Sequence, residues 1–90
     1  MNQSNWTELE DEIKKSLAIT MERVGQDFNN IDETVKDLSN EFKHLKINQF
    51  REAIRNGSLG MYGKTFKLST QEVCYWIREY LKSRKSSLGI

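Results

Sequence analysis

The stretch Asn48 to Arg84, NQFREAIRNGSLGMYGKTFKLSTQEVCYWIREYLKSR, decides how this chain is read. It has the pattern of a short helix, a glycine-punctuated loop and a second helix. Phe50, Ala53 and Ile54 share one helical face, with Ile47 just before them, while Arg51 and Arg55 point elsewhere. This predicts a helix over about Asn48–Asn56. Asn56-Gly57 is a stop signal, with Gly57 expected as a left-handed cap. Gly57, Gly60 and Gly63 follow at three-residue intervals. Leu59, Tyr62, Phe66 and Leu68 are too apolar for a free linker, so the loop is expected to be packed down. Ser69-Thr70-Gln71-Glu72 has capping-box spacing and opens the last helix, expected to run to about Arg84 with residues 86–90 as a frayed tail.

Upstream, apolar residues fall at Trp6, Leu9, Ile13, Leu17, Met21, Val24, Phe28, Ile31, Val35, Leu38, Phe42 and Leu45. Steps of three and four place them on one helical face, and the positions between are mostly charged or amide. Ser4 or Asn5 can cap the start. Two structures satisfy this pattern. One is a single helix from Trp6 to Leu45, about 60 Å long, which needs a coiled-coil partner such as a second copy of the chain. The other breaks near Asn29-Asn30 and folds back as a hairpin, with Asn30 and Glu33 at capping-box spacing. The break is the favoured reading. Gly25 lies on or beside the stripe and reads as a mid-helix glycine that allows a bend or a close approach. The expected fold is therefore all-α, one domain of three to four helices. An N-terminal amphipathic helix or hairpin (1–45) precedes a helix–glycine loop–helix unit (46–85).

Ninety residues allow one modest core. The single cysteine, Cys74, rules out an internal disulfide framework and fits a reducing compartment. No apolar run approaches the ~20 residues of a membrane span. The start, MNQSNWTELEDE, is polar and acidic, unlike a secretory signal, so a cytoplasmic protein without a membrane partner is expected. The net charge of +1 hides an asymmetry. Residues 1–42 carry four basic and ten acidic groups, net −6, and residues 43–90 carry ten basic and three acidic groups, net +7. An acidic half joined to a basic half points to nucleic-acid or membrane contact, or to two halves that neutralise each other.

Enzyme chemistry finds little to stand on. Gly63-Lys64-Thr65 invites comparison with a phosphate-binding loop, but the required first glycine falls on Ser58 and no apolar strand precedes it. His44 has no second histidine or cysteine at metal-ligand spacing. Cys74 flanks an apolar stripe and reads as a buried, inert thiol. The carboxylates of the first helix read as its solvated face. No catalytic residue, metal or cofactor is expected.

The last helix carries the functional expectation. Val73, Cys74, Trp76, Ile77, Tyr80 and Leu81 share its core side. Gln71, Tyr75, Arg78 and Lys82 share the opposite side, and Lys64, Lys67 and Lys85 can extend it. Gln can pair with adenine, Arg with guanine or phosphate, and Lys with phosphate. The arrangement resembles a helix-turn-helix, although the loop of about twelve residues is longer than the standard turn.

The runs Ala53-Ile54-Arg55-Asn56-Gly57-Ser58-Leu59-Gly60-Met61-Tyr62-Gly63, Phe66-Lys67-Leu68-Ser69 and Trp76-Ile77-Arg78-Glu79-Tyr80 resemble a motif of small proteins from Bacteroides-type bacteria, their phages and mobile elements. In those proteins a helix ends in a Gly-x-Leu-Gly-x-Tyr-Gly loop before an aromatic-rich terminal helix. The resemblance covers the last 40 or so residues and brings no active site with it. It implies a phage or mobile-element setting, where small DNA-binding accessory factors and small inhibitors of host proteins are both common. The expected partner is DNA, less so RNA. The alternative is a protein-interaction adaptor or inhibitor working through the helical surface.

Overall fold

The computed structural model describes residues 6–88, with side chains described as far as Ser83. Four helices follow in order: α1 (Glu8–Val24), α2 (Ile31–Glu41), α3 (Ile47–Ser58) and α4 (Thr70–Leu88). There is no strand among the described residues.

The hairpin reading holds for the N-terminal stripe, and the single helix of about 60 Å does not. α1 starts at Thr7, whose Oγ1 accepts the Glu10 N–H while the Glu10 carboxylate accepts the Thr7 N–H. Ser4 and Asn5, the expected caps, lie outside the described residues. Gly25 ends the helix instead of sitting within it. Its φ of +75° is the left-handed conformation, and the Gln26 N–H reaches back to the Met21 carbonyl as in a Schellman turn. Asn30 then caps α2, its Oδ1 accepting the Glu33 N–H at 3.1 Å. α2 stops at Glu41, short of Leu45.

α3 is longer than expected because Gly57 does not stop it. Gly57 has an ordinary helical φ and is buried in the last turn. The left-handed residue is Gly60, φ +83°. The Gly60 N–H bonds the Gly57 carbonyl and the Met61 N–H the Asn56 carbonyl, the two bonds of a Schellman motif. The loop that follows, residues 59–69, is only partly packed down. Leu68 is buried and Tyr62 half-buried, its hydroxyl accepting from Asn56 Nδ2, whereas Leu59 and Phe66 are exposed. Two apolar anchors suffice to hold the segment, so the other two remain in water.

At the start of α4, Ser69 Oγ accepts the Glu72 N–H. The Glu72 carboxylate serves elsewhere, accepting from Trp76 Nε1 and Thr65 Oγ1. α4 continues to Leu88, past Arg84, and takes in residues 86–88 of the expected tail; residues 89 and 90 lie outside the described residues.

Cross-contacts fix the topology. Trp6 lies near Lys36, and Lys14 pairs with Asp32, so α1 and α2 are antiparallel. Glu12 meets Arg51 and Arg23 meets Ser58, so α3 runs parallel to α1. Glu52 bonds Tyr80 and Gly57 abuts Trp76, so α4 returns antiparallel to α3. Thr34 bonds Thr70 and Glu41 approaches Arg78, which lays α4 parallel to α2. Two hairpins thus lie side by side, α1 beside α3 and α2 beside α4. Ile13, Leu17, Val35, Leu38, Phe50, Ile54, Val73, Trp76 and Ile77 from all four helices fill one core. Burial of the apolar faces is what holds helices this short, which are marginal in isolation. Buried Thr20 and Thr34 return their hydroxyl protons to carbonyls one turn back, on Ser16 and Asn30. No buried side-chain polar atom is left unpaired among the described residues.

This topology has one consequence for function. The α1–α2 connection and the glycine loop emerge at the same end of the molecule.

Candidate nucleic-acid interface

Gln26 joins those two connections. Its Nε2 donates to the Phe66 carbonyl at 3.3 Å, and its Oε1 accepts the Leu68 N–H at 2.8 Å. One side-chain amide therefore holds the backbone on both sides of Lys67. Below it the Leu68 side chain is buried. The Phe66 ring is left pointing into water, 83% exposed, with the Lys64 ammonium 5.6 Å from its centroid.

α4 brings the second component. Gln71, Tyr75, Arg78 and Lys82 are all exposed on one side of the helix, as its periodicity predicts. Tyr75 is 44% exposed and its hydroxyl donates to the Tyr62 carbonyl at 3.3 Å, tying the ring to the loop. The structure nevertheless divides the seven expected residues. Lys64, Lys67, Gln71 and Tyr75 line one open cleft of about 420 Å³ together with Phe66, Ser69 and Glu72. Among the described residues no carboxylate forms an ion pair with Lys64 or Lys67. Glu72, the acid in the cleft, is engaged by Trp76 and Thr65.

Arg78 belongs to a different groove, lined by Asp37, Asn40, Glu41, Lys43 and Cys74. Its guanidinium lies 4.0 Å from Glu41 and over the Phe42 ring at 5.9 Å. Lys82 is held by Glu79 at 3.1 Å. Both cations are thus partly answered from within the chain. The side chain of Lys85 lies outside the described residues. In the same groove burial pushes the Cys74 thiol up, Glu41 and Asp37 adding to the effect and Arg78 opposing it. Cys74 therefore stays protonated at neutral pH, as an inert thiol does.

Two residues escape a reading of the sequence: Phe66, which lines this cleft, and Gln26, which holds the backbone beside it. Phe66 reads as a core residue because its apolarity is visible and its anchoring is not. Gln26 carries no local signal, since its partners lie about 40 positions away.

The acidic and basic halves meet at Glu12–Arg51 and Glu41–Arg78. The Arg51 hydrogen bond holds the Glu12 carboxyl below the usual range, with Lys15 contributing. The Lys64–Lys67 end is not covered in this way. Among the described residues there is no metal-binding cluster of His, Cys, Asp and Glu, and no helix is long and apolar enough to cross a membrane. No protein-family model, curated protein sequence or solved structure matches this chain.

Proposed function

We propose that this chain is a small nucleic-acid-binding accessory or regulatory protein of phage or mobile-element origin, a binding module and not an enzyme. The observation that carries the reading is the cleft between the glycine loop and α4. There, among the described residues, Lys64 and Lys67 carry no paired carboxylate and stand beside two exposed aromatic rings, Phe66 and Tyr75, and the exposed amide of Gln71. Ammonium groups take phosphate by counterion release, and rings and amides take bases. The loop lysines lead in this reading. Arg78 and Lys82 supplement them, since Glu41 and Glu79 compete for their charge. DNA is the favoured ligand and RNA the second.

The test is retention of the full chain on heparin and on random-sequence DNA at about 50 and 200 mM salt. Binding should weaken with salt, and Lys64→Ala and Lys67→Ala should each flatten that dependence. Salt-independent binding, or none at the lower salt, refutes the reading.

One observation favours a protein-interaction reading instead. A small apolar groove between α1 and α3 exposes Ile19 (49%) among Arg23, Arg51 and Arg55, which would suit an acidic helix bearing one bulky apolar residue. Ile19→Asp should abolish such docking and leave nucleic-acid binding untouched.

A further inference from the structure

The geometry of the cleft distinguishes a single strand from a duplex. A duplex-reading helix inserts a convex row of side chains into a groove and meets base edges. On α4 that row would be Gln71, Tyr75, Arg78 and Lys82. Its two cations already sit beside Glu41 and Glu79, and the carboxylates of Asp37 and Glu41 would face the phosphates flanking Arg78. The cleft at the other end offers two exposed aromatic rings, Phe66 with the Lys64 ammonium over it and Tyr75, instead of a reading edge. Phe66 is held out by bonds from Gln26 to the backbone at residues 66 and 68, and Tyr75 is tied down through its hydroxyl. Lys64 and Lys67 stand at the same opening. Ring faces are of use to a base only when that base is unpaired and free to stack.

We infer that the ligand is a single-stranded nucleic acid, with bases stacked on Phe66 and Tyr75 and adjacent phosphates on Lys64 and Lys67. The inference rests on the nucleic-acid reading and names its substrate class. Charge complementarity selects the occupant, because the polyanion's phosphates meet two lysines that have no ion-pair partner among the described residues. Gln71, exposed on the same opening, is placed to hydrogen-bond a base edge and would give a mild base preference.

The test uses the full chain and a labelled single strand of roughly 12 nucleotides, compared by fluorescence anisotropy with the same sequence as a duplex. The single strand should bind about fivefold tighter or more, the lower bound for one stacked base. Phe66→Ala should lose that factor for the single strand and leave duplex affinity unchanged. Its melting curve should match the parent's, because the ring lies in water. Two phosphate contacts on a single strand predict a log–log salt slope near −1.4, hence about a sevenfold loss from 50 to 200 mM salt. Engaging Arg78 and Lys82 as well on a duplex would give a slope near −3.6 and about a 150-fold loss. A ribo-oligonucleotide of the same sequence distinguishes RNA from DNA, and tighter binding of either single strand supports the inference. Equal or tighter duplex binding, or a Phe66→Ala variant that binds the single strand as well as the parent, overturns the inference and leaves the nucleic-acid reading standing. Failure to bind single strand, duplex and heparin alike overturns both.

Discussion

Gly57→Ala offers the sharpest test of the helical packing. In an exposed helix this change stabilises by about 1 kcal/mol, because alanine has the better helix propensity. Here it should do the reverse. A Cβ at position 57 would fall on Cγ, Cδ2 and Cε3 of the Trp76 indole. Those atoms are the rigid centre of a ring that is 0% exposed, and its Nε1 is held by Glu72 at 3.2 Å. The ring cannot swing aside cheaply, so α3 and α4 must move apart. Overpacking of a buried site costs about 1–3 kcal/mol, and an overlap this direct belongs at the upper end. Subtracting the propensity gain leaves a net loss of about 2 kcal/mol, or roughly 8–16 °C in melting temperature for a domain of this size.

The assay is thermal and urea unfolding by circular dichroism, in parent and Trp76→Leu backgrounds, with one osmolyte concentration supporting all four proteins. Without the indole, Gly57→Ala should be neutral or stabilising, so the coupling changes the sign of the effect. A Gly57→Ala protein that melts higher than the parent, or an equal cost in both backgrounds, refutes the close approach of α3 to Trp76.

The other expectations are simpler. Leu17→Ala and Leu38→Ala, both at fully buried positions, should each lower the urea-derived stability by about 2–5 kcal/mol, and Leu17→Asp should unfold the chain. Gly60→Ala meets no neighbouring atom, so its cost comes from the left-handed backbone alone, about 1–2 kcal/mol by the same measurement. Cys74 should alkylate more slowly than a free thiol at neutral pH and reach the ordinary rate in urea, because burial raises its folded pKa and depletes the thiolate. Glu12 has a folded pKa below its unfolded value, so its pair with Arg51 stabilises fully above the unfolded pKa and is lost as pH falls through the folded one. The stability difference between Glu12→Gln and the parent, present at neutral pH, should therefore vanish in acid.

Periodicity carried most of the fold. The stripe from Trp6 to Leu45 names the core of α1 and α2, and the spacing of Val73, Trp76, Ile77 and Tyr80 names that of α4. Asn30 and Ser69 are legible as caps because capping is local chemistry. The glycines are legible in type and not in role. Gly25 and Gly57 exchange their expected parts, one ending a helix and the other lying inside one. A glycine can be required by a positive φ or by a close neighbour, and only the fold decides which. Gln71, Tyr75, Arg78 and Lys82 are exposed as helical spacing requires. Gln71 and Tyr75 line one cleft, Arg78 lines another beside Glu41 of α2, and Lys82 pairs with Glu79; the part played by Glu41 is invisible to helical spacing because it arrives from more than 30 residues upstream.

The candidate site also explains why the acidic half matters to the basic one. A fragment starting near Lys46 would keep every expected contact residue and raise the net positive charge, so charge alone would favour it as a binder. The packing argues otherwise. α3 lies against α1, and α4 against α2. Without Ile13, Leu17, Val35 and Leu38, the inner faces of both C-terminal helices would be open to water. Thr70 would lose Thr34, and the amide that holds the backbone at Phe66 and Leu68 belongs to Gln26. The partly buried Leu68 N–H would lose its partner, and an unmade bond of that kind costs about 1–3 kcal/mol. The lysines would survive truncation as charges while the backbone that carries the Phe66 ring lost its anchor. Phosphate attraction would remain and the stacking geometry would not. The acidic half thus supplies the scaffold against which the cleft is formed, and its ion pairs with the basic half fall at Arg51 and Arg78, away from Lys64 and Lys67.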